Sequence, residues 1–210
     1  MIGQEKQDAD DQAKLDARKQ ATAKSKESVI AQLRLLADMY SLKFNPAKAE
    51  ALFDGLLRLD STDLSILQDA ADFYRENHRY DKALRVLPLI IAHPQAEDWQ
   101  KANAHAYIGD MHTATGLLEP ALQAYLAFNK AYADLLQADP NRSFYKNGLA
   151  VSYSQLGWFF QSKKNDKEKA RNYYLQCQAL GQEIAKDYPS FVDFKDRLKW
   201  VQNALKALDK

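Results

Sequence analysis

Small side chains recur in step along this chain, and no other feature of the sequence constrains the fold as strongly. The stretch Leu33-x-x-Leu36-Ala37-x-x-Tyr40 is followed by Ala49-x-x-x-Phe53. Shifted by 34 residues, the chain reads Leu67-x-x-Ala70-Ala71-x-x-Tyr74, then Ala83-x-x-x-Leu87. The skeleton returns as His105-x-x-Ile108-Gly109-x-x-His112 with Ala121-x-x-x-Tyr125. A fourth copy is Tyr153-x-x-Leu156-Gly157-x-x-Phe160 with Ala170-x-x-x-Tyr174, its second half one residue late. Spacings of three and four place each run on one face of a helix. Ala or Gly at 37, 71, 109 and 157 lets a second helix approach, and the alanines at 49, 83, 121 and 170 do the same from the other side. Composition agrees: 31 alanines and 27 leucines favour helix, while only seven glycines and six prolines break it.

The repeats account for most of the 210 residues. Extra residues fall around His93–Asp98 and, more extensively, between Ala121 and Gly157, where two longer helices are expected to meet near Asp139-Pro140-Asn141. Pro140 is expected to end one helix, with Asn141 or Ser143 capping the next. The run from Ala138 to Lys146 has an echo in Tyr188–Lys195. Phe191, Phe194, Leu198, Val201, Leu205 and Leu208 then form one apolar stripe, suited to a helix over 190–208 that closes the last open face of a stack. Residues 1–28 differ: Leu15 is the one large apolar residue between Gly3 and Ser28, among six acidic and six basic ones. A frayed, solvated helix or a disordered leader is expected there, with a connector to an upstream segment as its functional reading.

The pattern resembles the tetratricopeptide repeat family, whose 34-residue unit reads W-x-x-L-G-x-x-Y, then A-x-x-x-F. The resemblance covers about residues 30–188, is closest to the long-repeat form of some bacterial members, and no copy keeps the family's Trp. It implies an all-α, right-handed α-solenoid of helix hairpins with a C-terminal capping helix. The units are expected at about 30–63, 64–97, 102–138 and 143–188, so that 29–210 is one solenoid. It also implies that the first helix of each pair lines a concave groove that binds protein segments. Carried onto this sequence, the groove residues are Arg34, Asp38, Gln68, Asp72, Arg75, Asn103, Tyr107, Asp110, Ser154 and Trp158, with Ser41, Asp69, Glu76, Ala106, Thr113, Gln155 and Gln161 beside them.

Two arginines against five carboxylates give that set a net charge of −3. A basic or neutral protein segment, anchored on Tyr107 and Trp158, is the partner expected there. The Lys, Asn and Arg clamp by which chaperone-binding members hold a C-terminal carboxylate is not matched. Reading RNA along such a groove would require Lys and Arg that it lacks, and the whole chain, at +1, carries no basic field for nucleic acid. No apolar run approaches the length of a membrane span, no secretory signal opens the chain, and a cytoplasmic place is expected, a longer exported precursor remaining the alternative.

Catalysis and cofactors are not expected. His105 and His112 are seven apart but stand at packing positions without a third ligand at suitable spacing. Cys177 falls seven residues after Ala170, on the inward face of its helix, where a thiol is inert. Phosphate loops, nucleophile elbows and zinc-protease motifs are missing from the sequence. The reading is a protein-interaction scaffold; self-association or regulation of a larger bacterial protein through the convex face is the alternative. The register has a direct test. Ala83→Leu or Ala121→Leu should overpack a helix contact by ~1–3 kcal/mol and lower the melting temperature by several degrees. Unchanged melting in both would dismiss the register.

Overall fold

The computed structural model describes the backbone of residues 2–43, 45–187 and 192–209, and the side chains of 12, 14–43, 45–187 and 195–209. The described residues are all-helical, with nine helices and no strand. They are α1 (Ile2–Leu42), α2 (Pro46–Leu59), α3 (Leu64–Glu76), α4 (Tyr80–Ala92), α5 (Asp98–Ala114), α6 (Leu118–Ala138), α7 (Ser143–Ser162), α8 (Lys167–Asp187) and α9 (Val192–Leu208). They group into two compact units, Met1–Asn77 and His78–Lys210.

Local chemistry sets the helix ends. Asn45 accepts from the Lys48 amide ahead of Pro46, which needs no amide partner in the first turn. The Asp63 carboxylate accepts from the amides of Ser65 and Ile66, and Glu97 with Gln100 forms a reciprocal box at the start of α5. The turns after α3, α5 and α7 each hold one residue in the left-handed region: His78 (φ 56°), Gly116 (φ 79°) and Asn165 (φ 52°). These lie seven or eight residues after Ala71, Gly109 and Gly157, so the turn is part of the repeat. Pro140 follows two residues after α6 ends. Neither Asn141 nor Ser143 caps α7, however. Arg142 occupies the cap position without a side-chain bond, and its amide donates to the Asp139 carbonyl at 3.2 Å.

In the first unit, α1 and α2 pack antiparallel and α3 lies against α2. Ala37, Ala49, Ala70 and Ala71 are buried, and Phe53 meets Phe73 with ring centres 4.7 Å apart. Residues 2–28 continue α1 without a break, because no Gly or Pro interrupts the chain from Gln4 to Asn45. Side chains 14–29 are exposed, so this stretch is a solvated helix, tied at its end by Lys26 to Asp60 at 2.6 Å. That pairing, with Thr62, holds the Asp60 carboxyl down at about 2.

The second unit is built on tyrosine rings laid over glycine. Tyr125 lies over Gly109, Tyr174 over Gly157 and Tyr132 over Gly148. A β-carbon on these glycines would stand 2.6, 2.5 and 2.0 Å from the ring. Ala121 and Ala170, one turn before Tyr125 and Tyr174, are fully buried, as is Ala83. Around these contacts lie two clusters: one with Phe159, Tyr174 and Cys177, the other with Phe128, Tyr132 and Leu149. On α9, Val201, Leu205 and Leu208 join the first cluster; Phe191 and the Phe194 side chain lie outside the described residues.

A glycine-to-alanine series separates these contacts from helix propensity. Alanine favours a helix over glycine by roughly 1 kcal/mol. Gly55→Ala meets only the Arg58 guanidinium at 3.9 Å and should raise the melting temperature slightly. Gly148→Ala and Gly157→Ala force a ring to move and should lower it, by ~1–3 kcal/mol of stability. A gain in either would show that the rings yield freely.

Candidate functional site

In the first unit, charged residues of α1 and α3 come together on one face. The Arg34 guanidinium donates to the Ser65 hydroxyl at 2.7 Å and pairs with Asp69. Burial pushes the Asp69 carboxyl above the usual range; Arg34 opposes this, and the negative charges of Asp38 and Asp72 reinforce it. Asp38 and Asp72 are exposed, and Gln68 is half-buried beside them on α3. Arg75 reaches Asp72 at 3.2 Å and Glu76 at 3.4 Å. Both arginines of the sequence-derived set are thus spent on neighbouring acids. What faces outward is mostly carboxylate.

In the second unit, Asn103, Tyr107 and Asp110 lie on one face of α5, and Trp158 on α7. Two of these polar groups serve the core. The Tyr125 hydroxyl donates to Asp110 at 2.7 Å, and the Tyr132 hydroxyl donates to Asn103 Oδ1 at 2.9 Å. A third tyrosine follows the same rule, with Tyr174 donating to Gln161 at 2.8 Å. Burial raises all three phenols, Tyr132 to about 12, so the hydroxyls remain donors at neutral pH. Trp158 is half-buried against the Phe159–Tyr174 cluster, with Lys163 Nζ 5.4 Å above its ring.

Ser154 does not line this face. It is 7% exposed and its hydroxyl donates to the Val151 carbonyl one turn back. Three residues before Gly157, it turns into the arc that Gly157 and Ala150 bury, and Ala106 is buried at the matching place before Gly109. Val151 and Gln155 on α7 are half-buried like Trp158, Val151 packing against the Phe128–Tyr132 cluster and Gln155 burying its Oε1. Gln155 was noted in sequence only beside Ser154. Val151 was missed, although its place six residues before Gly157 matches that of Asn103 before Gly109.

His105 is half-buried, and burial lowers the pKa of its imidazole. Among the described residues no three His, Cys, Asp or Glu side chains come close enough to hold a metal ion, and no helix is long and apolar enough to cross a membrane. Cys177 is buried, its thiol pushed up to about 11 by desolvation.

The electrostatics of the acidic face can be read directly. Asp38→Asn should lower the Asp69 titration point, and Arg34→Ala should raise it, as followed by carboxyl-carbon NMR. An Asp69 curve indifferent to residue 38 would mean that the two helices present separate charges.

No family model matches the chain, and no curated protein matches it. Solved structures share its fold. A MamA protein is 15% identical over 85% of this chain and 89% of its own, with a TM-score of 0.54. A putative kinesin light chain from Podosopora anserina with nearly identical TPR-like repeats is 14% identical over 87% and 93%, at 0.55. BtubC (BKLC) from P. vanneervenii is 17% identical over 87% and 82%, also at 0.55. With small residues buried in register and these helical-repeat neighbours, the chain has the tetratricopeptide-repeat fold.

Proposed function

We propose that this protein is a non-catalytic interaction scaffold whose α5–α7 face takes up an extended or helical segment of another protein. The observation that carries the reading is the outward face of α5 and α7, where half-buried Tyr107 and Trp158 stand beside hydrogen-bonded polar groups. Trp158 retains apolar area to bury against a partner while it also packs against the Phe159–Tyr174 cluster. In the first unit, taken by itself, the outward carboxylates Asp38 and Asp72 favour contact with a basic or neutral segment. Because the helices are held by core contacts, most of the ordering cost of binding falls on the partner.

The test must spare residues that also hold the fold. Asp110 anchors the Tyr125 hydroxyl, so its substitution would damage the core as well as the face. Trp158→Ala and the double variant Asp38→Lys/Asp72→Lys are better probes. In pull-downs from the native source, each should reduce recovery of the specific partner roughly tenfold or more, with helicity unchanged by circular dichroism. Undiminished recovery by both would overturn the reading.

A further inference from the structure

We infer that the open face of the first hairpin docks a second copy of this chain, head to head about a twofold axis. On α1, Ala37 is buried and Ile30, Leu33 and Tyr40 are half-buried. The arc beside them carries Val29, Leu35, Leu36, Met39 and Leu42, each between 41 and 80% exposed. Leu59, at the end of α2, is 43% exposed. A groove of about 520 Å³ between α1 and the end of α2, lined by Ala21, Thr22, Ser25, Lys26, Val29 and Leu59, continues the stripe toward the start of α1, its one cation, Lys26, being paired with Asp60.

Together these side chains expose on the order of 500 Å² of apolar surface, as much as a monomer ordinarily leaves in one patch. Doubled across a twofold axis this is ~1,000 Å², the lower limit for a specific interface, to which the polar side chains around the stripe would add. The stripe suits itself as a partner. Between Val29 and Leu42 its arc contains one polar residue, Gln32, and no charge, so pairing it with its own copy sets no like charges together. The net charge of +1 adds little long-range repulsion between copies. By contrast, α9 buries Val201, Leu205 and Leu208, and its one exposed large apolar side chain among the described residues is Trp200, at 45%, set among Lys195, Lys199, Asn203 and Lys206. One ring among lysines does not complement a stripe of five aliphatic side chains, so the stripe meets its own copy and association closes at two. The inference does not depend on the groove reading or on its partner.

Sedimentation of the full chain across the micromolar range tests it. The wild type should shift from monomer to dimer as concentration rises. Leu36→Lys and, separately, Leu42→Lys should raise the dissociation constant at least tenfold with helicity and melting of the monomer retained, since both side chains are exposed. A wild type monomeric at every concentration, or variants that dimerise equally well, would overturn the proposal. Orientation is read in a Cys177→Ala background. Oxidation should link copies through Gln32→Cys at mid-stripe and not through Lys199→Cys on α9. Linkage through position 199 alone would rule out the head-to-head arrangement.

Discussion

The second unit depends on how closely one helix backbone can approach the ring of a tyrosine. At Gly109, Gly148 and Gly157 the ring occupies the space of a β-carbon, so no other residue fits without displacing it. That contact fixes the separation of neighbouring helices and their rotation about their own axes. The alanines one turn before Tyr125 and Tyr174 complete the same contacts from the opposite helix. The first unit meets the same demand with alanine on both helices and with Phe53 against Phe73.

A buried tyrosine must also place its hydroxyl. In this chain the hydroxyls emerge where polar residues of another helix, or of a neighbouring turn, can accept them: Asp54 for Tyr74, Asp110 for Tyr125, Asn103 for Tyr132 and Gln161 for Tyr174. An unsatisfied hydroxyl there would cost ~1–3 kcal/mol. Core and surface are coupled by this device. Polar side chains on the face of α5 are held rigid by the interior, which preorganises that face for contact and also makes some of its residues structural. The acidic cluster of α1 and α3 is different. Its carboxylates answer to one another and to Arg34, with Asp38 and Asp72 outermost.

Much of this was legible beforehand. Positions 37, 71, 109 and 157 and positions 49, 83, 121 and 170 are all buried, because a period of small residues in two interleaved sets has few other physical uses. Gly148 escaped notice, since it lies outside the repeated motif and its need arises only when Tyr132 of the elongated α6 reaches α7. Ser154 falls at a groove position when the family's register is carried onto this sequence, but its hydroxyl satisfies itself on its own helix, and a small side chain near Gly157 belongs inside. Asp110 and Asn103 looked like free groove residues. Their bonds to tyrosines of the following helix are tertiary facts that no single-helix pattern carries.

The sequence by itself determined that the chain is helical and which small residues of the repeat lie inside, because periodicity and side-chain volume are local properties that repeat. Only the tertiary structure decided which polar residues face outward and which are bound to the core. It also decided that α1 exposes an apolar arc while Val201, Leu205 and Leu208 of α9 are covered. Those outcomes depend on which neighbour each helix face meets, and a neighbour is set by packing in space and not by position along the chain.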